Sequence, residues 1–139
     1  MEFKLKNAIK LQKELVNELK QNKKQIISVY NNEELANEDK EARINELLIK
    51  QYSLSNDLVN LKTNIRTKND EIGITRKIYE LTELKQIENI YININNKEET
   101  EKLRKTINKI ENTLEEINNN TNIEVSIESQ IIEKISQKN

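Results

Sequence analysis

One glycine and no proline in 139 residues leave this chain few ways of turning sharply, and nothing limits its fold more. A β-sandwich needs a turn signal about every 8–12 residues, built from residues this chain lacks. Long helices need none. Apolar residues make up 35% and charged residues 34%, too polar a mixture for one large compact core. Such a chain is expected to place narrow apolar stripes on extended helices. Its length bounds it to one domain, or one subunit of something larger.

The same counts exclude chemistry. With no His and no Cys there are no disulfides, no imidazole or thiolate metal ligands, and no Ser–His or Cys nucleophile. A single glycine cannot build a phosphate-cradling loop. Basic and acidic side chains balance, 23 against 24, so no global field attracts nucleic acid or acidic lipid. Lys outnumbers Arg nineteen to four, a bias that fits an AT-rich genome. Met1-Glu-Phe-Lys-Leu-Lys6 has no apolar core of a signal peptide. No apolar run approaches the ~20 residues that span a bilayer. The expected location is the cytoplasm, with no membrane contact.

Periodicity marks the elements. A first helix is expected over residues 3 to 30, with Leu5, Ala8, Ile9, Leu15, Val16, Leu19, Ile26, Ile27 and Tyr30 as its stripe and Gln12 and Asn22 as polar interruptions. Asn31 and Asn32 favour a turn, because Asn bonds its own backbone and tolerates the left-handed region. A second helix, from about Asp39 to Asn69, carries Ile44, Leu47, Gln51, Leu54, Leu58, Leu61 and Ile65 at alternating spacings of three and four, the a/d seam of a coiled coil. Leu48, Tyr52 and Val59 widen its flank, as though a second neighbour were in play. Gly73 breaks it. A third helix near Thr75 to Asn89 carries Ile78, Leu81, Leu84 and Ile87.

Ile90-Tyr-Ile-Asn-Ile94 is β-branched and partly alternating, so a short strand competes there with a helix end. Asn96 and Glu99 have the spacing of a capping box. Thr100, Leu103, Ile107, Ile110, Leu114 and Ile117 then form the cleanest seam, ended by the Asn118–Asn122 tract. Ile123-Glu-Val-Ser-Ile127 alternates as a second strand candidate. If 90–94 and 123–127 are both strands, the helix of ~32 Å between them keeps them apart in one chain. They would then pair between subunits of an antiparallel dimer.

Several of these pieces together resemble a known family. They are Val29-Tyr-Asn-Asn-Glu33-Glu34-Leu-Ala36-Asn-Glu38-Asp39, then Leu58, Leu61, Ile65 and Asn69 at their spacings, then Ile74-Thr75, Leu103 with Ile107, and Ile117 through Val125. In this order, over roughly residues 5 to 125, they resemble the small bacterial helical proteins labelled septicolysin. The resemblance implies a helical architecture with a small strand element. It implies no catalytic residues.

The fold expected is mainly α: long antiparallel hairpins of three or four helices with an optional two-stranded β element. Residues 1–125 form one domain and 126–139 a tail, a short helix or frayed end. No catalytic residue, cofactor or metal is expected. Glu33, Glu34, Glu38 and Asp39 lack the pattern of a calcium loop and suit a helix start. Tyr30, Tyr52, Tyr79 and Tyr91 sit by apolar stripes, where rings pack.

What remains is interaction. The candidate seam is Ile44, Leu47, Leu54, Leu58, Leu61, Ile65, Leu103, Ile107, Ile110, Leu114 and Ile117. It would serve a homo-oligomer, most simply a two-fold dimer, or a protein partner. A second candidate is the basic face Lys6, Lys10, Lys13, Lys20 and Lys24, which could follow phosphates, although no Arg or aromatic residue supports base recognition. A third is a holdase, whose hairpin tips would bind unfolded chains.

Overall fold

The computed structural model describes residues 1–127. Residues 128–139, most of the tail expected from the sequence, lie outside the described residues. The order is β1 (Glu2–Lys4), α1 (Leu5–Tyr30), α2 (Asn37–Glu71), α3 (Thr75–Asn93), α4 (Lys97–Asn120) and β2 (Asn122–Glu124). α1 packs along α2, α3 packs along α4, and α1 touches α4. The fold is mainly α with a small β element, as the lack of turn residues implies.

Each turn is made by the residue type its backbone demands. α1 stops at Tyr30, and the side chain of Asn32 accepts from the Glu34 amide at 3.0 Å, closing a local Asx turn. α2 begins with Glu38 and Asp39 in its first turn, where the helix dipole favours acids. It ends at Gly73, whose φ is +72°. There the Gly73 amide donates to the Asp70 carbonyl at 3.2 Å and the Ile74 amide to the Asn69 carbonyl at 3.1 Å, a Schellman closure. α3 ends identically with Asn95, φ +57°. The Asn95 amide bonds the Ile92 carbonyl and the Asn96 amide the Tyr91 carbonyl.

The core lies where the two hairpins meet. Leu5, Ala8, Leu11 and Leu15 of α1 pack with Leu54, Leu61 and Ile65 of α2, Ile74 of the α2–α3 turn and Leu114 of α4. Ile123 and Val125 close that end. β1 and β2 pair antiparallel with Phe3 opposite Ile123. The Leu5 amide donates to the Thr121 carbonyl at 2.7 Å, and the Val125 amide to the Met1 carbonyl at 2.9 Å. Both chain segments are thereby tied at the base. The sheet is two-stranded, and burial alternates along it because one face covers the core.

Three expectations are corrected. Residues 90–93 are helical, with Ile94 as the C-cap of α3. β-Branched residues carry a weak strand preference that an established helix and a left-handed Asn stop override. The partner of the C-terminal strand is residues 2–4 of the same chain. Pairing of 90–94 with 123–127 between subunits therefore does not arise, and the first helix starts at Leu5 rather than residue 3. Half of the capping box forms: Asn96 Oδ1 accepts from the Glu99 amide at 3.2 Å. The Asn96 amide is already committed to the Tyr91 carbonyl, so it has no need of Glu99.

Candidate interaction surfaces

The long seams are consumed inside the chain. Leu47, Leu54, Leu61 and Ile65 are buried, while Ile44 and Leu58 are half-buried. In α4, Ile107 and Leu114 are buried, and Leu103, Ile110 and Ile117 are half-buried. Together these are all the residues expected as an interaction seam. Their a/d spacing is that of helix pairing, and the hairpin partner delivered by a short turn is the nearest helix available to satisfy it. The seam is therefore not an open surface in this conformation.

The α1–α2 seam contains a polar layer. Asn22 is 1% exposed. Its Nδ2 donates to the Leu47 carbonyl and to Gln51 Oε1, both at 2.8 Å. The paired positions Asn22 and Gln51 fix which turn of α1 faces which turn of α2, as a buried Asn does in a coiled coil. Two ion pairs cross from α3 to α4, Lys85 to Glu111 at 3.7 Å and Arg104 to Glu88 at 3.3 Å. Both lie at the surface, with Glu88 half-buried, and add little to stability.

Apolar side chains remain on two outer faces. On α2, Ile49 is 71% exposed, Tyr52 77% and Val59 61%, with Leu48 beside them. On α3, Ile87, Ile90 and Ile94 are exposed at spacings of three and four. No residue of α3 is fully buried. Leu48, Tyr52 and Val59 were visible in the sequence as a widened flank. Ile90 and Ile94 were hidden by their resemblance to a strand; the three-four spacing from Ile87 was the available signal.

Lys6, Lys10, Lys13, Lys20 and Lys24 are all exposed. Their spacings of four, three, seven and four keep them on one side of α1, opposite the α2-facing seam, over ~27 Å. None of the five takes part in an ion pair among the described residues. Glu33, Glu34, Glu38 and Asp39 are exposed, and no group of three or more acidic side chains that could hold a metal occurs among the described residues. No helix among them is long and apolar enough to cross a membrane.

Comparison with protein-family models, curated proteins and solved structures finds no match.

Proposed function

We propose that this chain is a non-catalytic, cytoplasmic interaction protein that works by helix–helix association and self-associates, most simply as a dimer. One observation carries the proposal. After each inner seam has been satisfied within the chain, α2 and α3 still hold exposed apolar stripes at helical spacing. Single exposed apolar residues are ordinary, whereas several clustered on one helix face gain by being covered. The inner seams build the hairpins and the outer stripes meet other helices, a division of labour that differs from using the inner seams themselves. Absolute mass by light scattering after size exclusion, at two salt concentrations, tests it. The expected result is a species larger than the 16.4 kDa chain; a compact monomer across micromolar concentrations overturns it.

A second reading has its own support in the lysine stripe of α1, which takes part in no ion pair among the described residues. A stripe of this length can lie along a phosphate backbone and release counterions, with affinity falling as salt rises. A labelled oligonucleotide should then shift at low salt and cease to shift when Lys10, Lys13 and Lys20 are changed to Glu. Binding unaffected by those changes, or none at low salt, removes this reading.

A further inference from the structure

We infer that the outer face of α2 is a self-complementary docking surface for α2 of a second copy, the two helices crossing antiparallel about a two-fold axis near residues 53 and 54. This rests on the self-association proposed above and names the surface that performs it. The argument starts from spacing. Glu41, Asn45, Leu48, Tyr52, Ser55, Val59, Lys62 and Arg66 follow one another at alternating steps of four and three. That is a second a/d seam on α2, displaced by one residue from the inner seam and so ~100° round the helix. α1 occupies the inner seam. The outer one is open: of these residues Ser55 is half-buried and the rest are exposed.

Charge decides what fits it. The seam is acidic at Glu41, carries Leu48, Tyr52 and Val59 around the small polar Ser55 at its middle, and is basic at Lys62 and Arg66. A parallel copy would place Glu41 on Glu41 and Arg66 on Arg66. An antiparallel copy places Glu41 on the partner's Arg66, Asn45 on the partner's Lys62, Leu48 on the partner's Val59 and Tyr52 on the partner's Ser55. Each of these layers sets an a position against a d position, as antiparallel pairing requires. The two-fold axis repeats every layer, so one patch complements itself, the condition for a closed dimer. Glu41, Lys62 and Arg66 take part in no ion pair among the described residues. Their charges are therefore available at the two ends of a contact ~38 Å long. The α3 stripe lacks this arrangement. Its isoleucines occupy one half of the helix, and Glu80 and Glu83 the other, so antiparallel copies would overlap at the tips alone.

The chain has no cysteine, which permits a clean test on the full-length protein. Leu48→Cys and Val59→Cys are made as separate variants and mildly oxidised, alone and as an equimolar mixture. The expected product is a disulfide-linked heterodimer in the mixture, identified by mass, with each variant alone unlinked. In the antiparallel pair, like residues lie ~16 Å apart along the axis, beyond disulfide reach. Self-linking of each variant signals parallel pairing and overturns the inference, as does a mixture that does not link. Glu41→Arg and Arg66→Glu are each expected to weaken the dimer about tenfold at low salt, since each reverses two symmetry-related pairs. The double variant should recover the original affinity; a double variant weaker than either single overturns the inference. A dimer that persists without the 48–59 link refutes this face and leaves self-association standing. A monomer at every concentration removes both.

Discussion

Replacing Asn22 by Leu should make this protein more stable, although it breaks two hydrogen bonds. The bonds are those from Nδ2 to the Leu47 carbonyl and Gln51 Oε1, and at about 0.5–1.5 kcal/mol each their net loss costs about 1–3 kcal/mol. Neither partner is stranded. Leu47 lies inside α2, where its carbonyl belongs to the helical ladder, and Gln51 is half-buried, so its amide can turn to water. On the other side, Asn22 Oδ1 is buried with no hydrogen-bond partner among the described residues, and removing it recovers about 1–3 kcal/mol. A fully buried Leu side chain adds about 1.5–3 kcal/mol, and crowding by its greater bulk offsets about 1 kcal/mol of that. The balance is a gain of about 1–2 kcal/mol, which for a chain of this size raises Tm by about 3–8 °C. Urea unfolding followed by circular dichroism reads it directly, with the midpoint moving up and the slope unchanged. A loss of 1 kcal/mol or more would refute the reasoning, because it would mean that Oδ1 is satisfied and the polar layer is a net source of stability. The cost is expected in specificity: without the Asn22–Gln51 pair, α1 can slide by a heptad against α2.

Ile107→Ala, at a side chain 4% exposed, should cost about 2–5 kcal/mol in urea unfolding, whereas Ile90→Ala on the outer face of α3 should change the stability of the single chain by less than about 0.5 kcal/mol. Asn95→Gly should raise Tm, because glycine adopts φ +57° without the ~1 kcal/mol strain of an L residue. Gly73→Ala should lower stability by about 1 kcal/mol from its φ of +72° alone, since an added Cβ would meet nothing within 4 Å; a much larger loss would reveal a clash. Asn96→Ala removes the cap on the Glu99 amide and should cost about 0.5–2 kcal/mol, seen as reduced thermal stability.

The helices and turns were legible because their causes are local. The spacing from Ile44 to Ile65, the glycine at 73 and the Asn–Glu pair at 96 and 99 each act within a few residues of themselves. The misread segments depend on distant ones. Residues 2–4 carry no strand signal of their own and become a strand only because Ile123 and its neighbours arrive beside them. Ile90 to Ile94 show strand composition, yet their helix is already propagating from Thr75, and extending it costs less than starting anew. Asn22 reads as a gap in a stripe, and only the opposite helix reveals it as a seam residue. The surfaces were harder still. Periodicity reports that a residue faces a neighbour, without saying whether that neighbour is in the same chain. The inner and outer seams of α2 differ by one residue in phase, and the outer one is mostly polar, so hydrophobicity alone revealed only Leu48, Tyr52 and Val59.

The hydrogen bond between Val125 and Met1 has a topological meaning. It joins the first and last parts of the described chain, so the backbone runs as an almost closed loop thrown into two folds. In such a loop the position of the ends is a matter of where the circle is cut. New termini opened in the exposed turn at residues 31–36, with the old ends joined by a linker long enough to reach between them, would keep every described helix pair and both strands in place. The assembly order would change, however. The β ribbon, which now must wait for nearly the whole chain to be made, would become a local hairpin formed early, while α1 and α2 would become the distant partners that close last.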